Sequence, residues 1–363
     1  MRPVIKTEAS STLRAGARHL PGSHGLQACW DRQLAGIGAD VLRVALEYGL
    51  FAHLEQFVDA PGLAGKLALN AANTHYVLES LWGMELLERD NASLPHYRNL
   101  PIATQYLNPA SERYCGDALL FRHESMRRLG SRLGESLRAG RGHTASLDDA
   151  TMRSGWAMAA RSQIAQEQRA VTAEAACDLL ASLPDFLQAR RLLDLGGGPG
   201  LVAIALARSQ PALTGVVFDY EEAAAVAREH IAGAGLSQRL QAVGGDINAD
   251  DLGTDYDLVW CSSVLHFVPD IPAALDRIYK AMRPGGLLVC CHAEVRSDPR
   301  QALRVLHYYL SLRMQGRHVW AEGELADPLM RAGLVDVRQI DDVYFPVAPV
   351  TALIARKPYG DPQ

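Results

Sequence analysis

Residues 192–207 read LLDLGGGPGLVAIALA. An apolar run from Leu192 to Leu195 breaks at a glycine turn, Gly196 to Gly200, and small apolar residues follow with helical spacing. A strand, a turn almost free of side chains and a helix in that order leave backbone amides open at a helix N-terminus. A nucleotide-like cofactor is therefore expected over the turn. The dinucleotide fingerprint G-x-G-x-x-G needs its third glycine so that helix and strand can pack closely. Counted from Gly196, that place is Leu201. An acid, Asp194, also stands two residues before the first glycine. A carboxylate there disfavours a pyrophosphate. S-adenosylmethionine (SAM) carries an ammonium and a sulfonium and no phosphate, so Asp194 is tolerated or useful beside it. The turn thus predicts SAM, with Asp194, Gly196 and Gly198 at the cofactor.

Outward from the turn, the chain from Arg190 alternates strand-like and helical runs: RRLLDL, LVAIALARS, TGVVFD, EEAAAVAREHIAGAG, LQAVGGD, YDLVWCSS, IPAALDRIYKAM and GGLLVCCHAEV. Such alternation predicts an α/β fold with a parallel, doubly wound sheet. The last stretch, DVRQIDDVYFPVAPVTALIARKP, reads as two strands without a helix between them, a hairpin closing one sheet edge. Asp219 ends the second strand of this half, where a carboxylate can accept both hydrogen bonds of a ribose diol. Asp246 follows the third strand and is placed to accept the adenine amino group, with Ile247 packed on the ring.

The rest of the 363 residues organise around that domain. Residues 1–25 read as a loose arm. Residues 26–110 read as short helices closed by a strand pair, a winged-helix-like unit; VLRVALEYGLFAHLE (41–55) puts Leu42, Ala45, Leu46, Leu50 and Leu54 on one helical face. Residues 41–90 hold three basic side chains against seven acidic ones, and Asn73–Leu81 has no Lys or Arg. DNA affinity rests on phosphate neutralisation, which this surface does not supply, so a dimer interface is the expected use. Residues 111–189 read as helices that bridge to the SAM domain at 190–358 and line the substrate pocket. The composition, 48% hydrophobic and 21% charged with a net charge of −5, is that of an ordinary globular protein. No apolar run is long enough to span a membrane and no secretory signal is present, so a cytoplasmic location is expected. The six cysteines and twelve histidines show no C-x-x-C or H-E-x-x-H spacing, and no metal site is expected. Cys290 and Cys291, adjacent in an apparent strand, should face opposite ways.

The combination LLDLGGGPG, FDYEEA, GGDI, VLHFVPD and RPGGLLV, with ALEYGLFAHL at 45–54, resembles the plant caffeate and bacterial antibiotic O-methyltransferase family, which includes acetylserotonin O-methyltransferase. The likeness runs over about residues 27–358. It implies a Rossmann-like SAM domain, a helical N-terminal dimerisation domain, and a homodimer in which each N-terminal domain helps cover the partner's substrate pocket. It also implies SAM contacts at Gly196, Gly198, Asp219, Asp246 and Ile247, and a catalytic base at His266. Phe267 stands where the family has an aspartate, and Ser262, counted here with the cofactor residues, stands where many plant members have a lysine. His292 occupies the place of a helper glutamate, with Glu294 two residues beyond; both are candidate catalytic groups.

The implied chemistry is methyl transfer to a small aromatic hydroxyl compound in specialised metabolism. A phenol has a pKa of about 10, so a base must take its proton as charge develops. Asp270 and Glu294 are candidates to orient the His266 ring. Phe121, Met126, Trp156, Met158, Tyr308 and Met314 are candidate pocket walls, and one of Arg122, His123, Arg127 or Arg128 is a candidate for a substrate carboxylate. A phenolate is also nucleophilic at its ortho carbon. C-methylation of a tyrosine- or kynurenine-like ring, or of a 2-keto acid, is the alternative.

Overall fold

The computed structural model describes residues 24–139 and 149–360. The first 23 residues of the expected arm lie outside that range. No helix among the described residues is long and apolar enough to cross a membrane.

The N-terminal unit begins with a helix over Gln27–Glu47. Reading 41–55 as one continuous helix needs correction. Gly49 takes φ +66°, the left-handed stop that only glycine adopts without strain, and a tight turn over Leu50–His53 follows. That break folds Leu50, Phe51 and Leu54 back under the helices Ala60–Leu67 and Ala71–Gly83, where they pack with Leu63, Leu78 and Leu81. Each such side chain, almost wholly buried, contributes roughly 1.5–3 kcal/mol. Asp59 and Asn70 start the two helices by accepting the amides of Gly62 and Asn73. Strands β2 (Leu87–Arg89) and β3 (His96–Asn99) pair antiparallel, as expected. A two-residue strand β1 (Val58–Asp59), too short to leave a pattern in the sequence, joins the free edge of β3.

A helix over Gly116–Ala139 carries the basic run. Residues 149–181 form a nearly continuous helix with two wide π turns, Ala160–Ile164 and Gln168–Thr172. Such turns bulge a helix locally and are frequent at functional sites.

The C-terminal half is a seven-stranded sheet ordered β6-β5-β4-β7-β8-β10-β9. Its parallel part comprises β4 (Arg191–Leu195), β5 (Thr214–Asp219), β6 (Leu240–Gly244), β7 (Tyr256–Ser262) and β8 (Met282–His292). The hairpin of β9 (Val335–Val343) and β10 (Val350–Arg356) adds on antiparallel. Helices cover both faces, so β4, β7 and β10 are apolar and buried along most of their length. The edge strand β9 is exposed and carries Asp336, Arg338, Asp341 and Asp342, charges that discourage further pairing. Cys291 packs in the core on one sheet face with Leu192 and Val202, and Cys290 in the core on the other with Leu193 and Leu195. Strand order reverses at β4, between β5 and β7. The crevice beyond the carboxyl ends of β4 and β7 is where ligands sit in such sheets.

Candidate active site

The glycine turn stands at that crevice. Gly196 has φ +64°, and a Cβ there would lie 2.3 Å from the Val264 side chain. Gly198 has φ +56° and donates its amide to Asp219 Oδ2 at 2.8 Å. Asp219 Oδ1 accepts from the Tyr220 amide at 2.7 Å. Each carboxylate oxygen keeps one lone pair for a ligand. Burial pushes the Asp219 carboxyl up to about 6, against the two backbone amides that hold it down.

Asp194 lies behind the turn, 2% exposed. Burial, with the negative charge of Asp219 nearby, raises its carboxyl to about 7, and an amide bond from Ala203 lowers it only in part. Its Oδ2 has no hydrogen-bond partner. A buried carboxylate oxygen left open costs free energy, and a cation at the turn would relieve that cost. This donor set fits SAM: flexible glycine backbone, a carboxylate with two free lone pairs, and negative charge with no basic side chain among these contacts. Asp246 accepts the amide of Asn248 at 2.9 Å and its side-chain nitrogen at 2.8 Å; beside it Ile247 is half-buried against the core. Ser262, at the end of β7, accepts the Trp260 indole N–H at 3.1 Å.

Sequence reasoning missed Gln168. From the second π turn its side chain donates to the Gly197 carbonyl at 3.1 Å and accepts from the Leu201 amide at 3.0 Å. It fastens the helical bridge to the glycine turn. A lone glutamine inside a helical pattern gives no signal of this.

After β7, Leu265–Phe267 forms a tight turn that presents His266, fully buried. Its Nδ1 donates to the His318 carbonyl at 3.0 Å. A carbonyl only accepts, so the proton sits on Nδ1 and Nε2 keeps its lone pair. That Nε2 is buried and without a partner. Burial lowers the imidazole to about 4, so it stays neutral near pH 7. Its ring lies 4.7 Å from Tyr309, 4.9 Å from Trp320 and 5.1 Å from His292. Tyr309 and Trp320 were not among the expected site residues. Tyr309 also bonds Ser263, whose φ is +57°.

Several expectations need correction. The group orienting His266 is the His318 carbonyl. Asp270 instead caps the next helix, its Oδ1 accepting from Ala273 N–H at 3.0 Å. Glu294 is buried; one oxygen accepts the Gly323 amide at 3.2 Å and the other has no partner. His292 is fully buried with both ring nitrogens engaged by its own chain: Nε2 accepts the Leu265 amide at 3.0 Å, and Nδ1 faces Cys290 Sγ at 3.3 Å. That arrangement conflicts with a proton-transfer role at the acceptor. Among the described residues, Cys261, Cys290 and His292 are grouped closely enough to hold a metal ion. The Leu265 N–H needs the Nε2 lone pair, so the His292 proton is on Nδ1, the atom that would have to bind the ion.

The expected pocket walls scatter. Trp156 meets Phe267 edge-to-face at 4.9 Å, and Tyr308 meets Tyr309 at 4.8 Å, next to His266. Met314 is half-buried, while Met126 and Met158 are exposed. Phe121 lines a separate charged groove of about 490 Å³ with Asp40, Arg43 and His123. The four basic candidates are all paired within the chain: Arg122 with Glu167, His123 and Arg127 with Asp40, and Arg128 with Glu124.

Comparison with known proteins gives the class of enzyme. A family profile described as a methyltransferase domain matches residues 165–339. The 3-hydroxy-5-methyl-1-naphthoate 3-O-methyltransferase of Streptomyces sahachiroi is 31% identical over 62% of this chain and 64% of its own length. The L-tyrosine C(3)-methyltransferase of Streptomyces lavendulae is 28% identical over 42% and 43%. The structure of human N-acetylserotonin methyltransferase in complex with SAM superposes with a TM-score of 0.76 at 22% identity, covering 94% of this chain and all of that one. Fold, turn and relatives together define a SAM-dependent methyltransferase. Over much of its length the chain is similar to O-methyltransferases of this kind.

Proposed function

We propose that this enzyme methylates a hydroxyl group of a small aromatic compound of specialised metabolism, with His266 as general base. The observation that carries this reading is the His266 ring: neutral, locked by the His318 carbonyl, with a free Nε2 lone pair at the carboxyl end of β7. Bound at the glycine turn, SAM supplies a methyl group on a sulfonium that departs with the bonding electron pair. Asp219 holds the ribose diol, Asp246 and Ile247 the adenine, and Asp194 offsets the positive charge. Gly196 and Gly198 let the backbone approach. His266 Nε2 takes the hydroxyl proton as the new C–O bond forms. Trp156, Tyr308 and Met314 contribute to the aromatic pocket.

The second reading, methylation of a ring carbon, is favoured by the tyrosine C-methyltransferase relative. It needs the same base, with the ring turned by a few ångströms. Methyl-labelled SAM and a panel of ring-deuterated phenols, catechols and aromatic amino acids separate the two by mass spectrometry. We expect methyl gain with every ring deuteron kept. Loss of one deuteron replaces the oxygen reading with the carbon one. No transfer to any member of the panel counts against both.

The enzyme works as a homodimer in this proposal, through its winged-helix-like N-terminal domain. Leu26, Trp30, Leu34 and Ile37 form a stripe along the first helix and are 50%, 42%, 64% and 63% exposed. Their spacing of four, four and three residues puts them on one face, an apolar strip unusual for a free surface. Sedimentation velocity should show a dimer, converted to monomer by the double substitution Leu34→Asp, Ile37→Asp. A wild-type monomer at micromolar concentration would end this proposal.

A further inference from the structure

The buried imidazole of His292 sits at the place where the resemblance expects a helper acid, yet it is enclosed by its own chain. Its two contacts fix its state completely. The Leu265 amide is a donor, so Nε2 must accept. A neutral imidazole has one proton, which is then on Nδ1 and points at Cys290 Sγ, 3.3 Å away. Burial and the neighbouring His266 hold the ring neutral by keeping its pKa well below the ordinary value. His292 ends β8, and Leu265 begins the tight turn that carries His266. The bond therefore ties a rigid central strand to the loop that follows its neighbour β7. The loop starts at Ser263, a non-glycine residue at φ +57°, a conformation held only when its surroundings enforce it. The Ser263 amide donates to the Cys291 carbonyl at 2.9 Å, and Tyr309 bonds its side chain. Strand β8 thus grips the loop at two points, Ser263 and Leu265, on either side of Val264.

We infer that His292 is a positioning residue: through its bond to the Leu265 amide, which fixes its tautomer with Nδ1–H toward Cys290 Sγ, it holds the turn that aims His266. The inference rests on the proposed role of His266 for its effect on turnover. Its structural core, the tautomer and the placement of His266, stands apart from that role. An acid at position 292 would accept the same bond but place a charge beside the buried Trp320 ring, 5.4 Å from the His292 ring. A histidine here keeps the acceptor and avoids the charge.

Two variants separate acceptor from ring. Gln reaches about as far as the His Nε2 position and keeps an acceptor oxygen; Met fills similar space without a strong one. The first measurement is ¹⁵N NMR of the full-length protein labelled at histidine, with His292 assigned by its loss in His292→Gln. We expect a protonated Nδ1 and a bare Nε2, unchanged from pH 5.5 to 8. A protonated Nε2 overturns the inference. The second is the deuterium exchange of the His266 C2 hydrogen against pH, which needs no methyl acceptor. In His292→Met the turn loosens, and the His266 pKa should rise from about 4 toward its ordinary value of about 6.5; in His292→Gln it should stay low. Equal behaviour of the two variants overturns the inference, and the NMR result stands even if the Met variant fails to fold.

The third measurement uses a phenol that the labelled-transfer assay shows to be methylated. His292→Met should lose turnover by about 10²-fold, the scale of a misplaced catalytic group, with KM for SAM unchanged, and His292→Gln should recover most of it. If His266→Ala keeps full turnover while the tautomer and exchange results hold, the base assignment fails and the positioning contact survives.

Discussion

His266→Ala is expected to lower turnover at least ~10²-fold and to leave SAM affinity unchanged, as measured by steady-state kinetics and calorimetry. General base catalysis contributes roughly 10²–10⁴-fold. Of the other candidates, His292 is tied up at both nitrogens and Asp270 caps a helix, and only Glu294 keeps an oxygen without a partner. The geometry adds a pH signature. Burial depresses the imidazole to about 4, so its basic form persists as pH falls and is lost only near that value. Turnover should therefore not drop between pH 7 and 5.5 on account of His266, unlike an exposed histidine titrating near 6.5. His266→Gln is the informative companion. It restores an acceptor at the Nε2 position but no useful basicity, so turnover should stay low. Parallel loss of turnover and SAM binding in His266→Ala would mean that the ring supports the cofactor cleft rather than the reaction.

The parts of this site that follow one another in the chain were legible from the sequence. The strand, glycine turn and helix at 191–209 announce themselves through apolar periodicity and the absence of side chains, and Asp219 lies at a strand end as expected; His266 was indicated by the family resemblance. What stayed hidden depends on side chains meeting across long separations. The carbonyl that orients His266 belongs to His318, 52 residues away, and a backbone carbonyl has no signature in any sequence. Gln168 reaches the glycine turn because of a π turn, which shifts the helix face without changing its apolar pattern. His292 was indicated by the resemblance, at the place of a helper glutamate. Only the direction of the Leu265 amide shows that its lone pair is already used. The pocket walls fared worst, because Met126 and Met158 lie on amphipathic helices whose apolar faces have several possible partners, and periodicity does not say which.

Asp219→Ala should weaken SAM binding by roughly 2–4 kcal/mol, the loss of two hydrogen bonds to a charged acceptor, or about 30- to 700-fold in Kd. The same carboxylate also holds the Gly198 and Tyr220 amides, so the melting temperature without ligand must be measured alongside. A large fall in Kd-derived affinity with a small change in melting temperature assigns the effect to the cofactor; unchanged affinity removes Asp219 from the site. Wild-type binding should carry the matching pH dependence. Asp219 titrates near 6 and Asp194 near 7 in the free enzyme, both raised by burial. Ribose hydroxyls and a positive charge favour the ionised carboxyls, so binding lowers both pKa values and releases protons. Affinity should then fall as pH drops from 8 to 5, and calorimetry in buffers of different ionisation enthalpy should record the released protons. The sign for stability is opposite. A carboxyl whose folded pKa is raised contributes most below its unfolded value of about 3.9, and that contribution is lost as pH rises through 7. Asp194→Asn should therefore raise the melting temperature more at pH 8 than at pH 5, while flattening the pH dependence of SAM affinity. A buried acid that costs stability at neutral pH and is partly repaid by a bound cation is expected only where that cation belongs. An Asp194→Asn enzyme that binds SAM as well as wild type at pH 8 would show that the buried charge serves the fold instead.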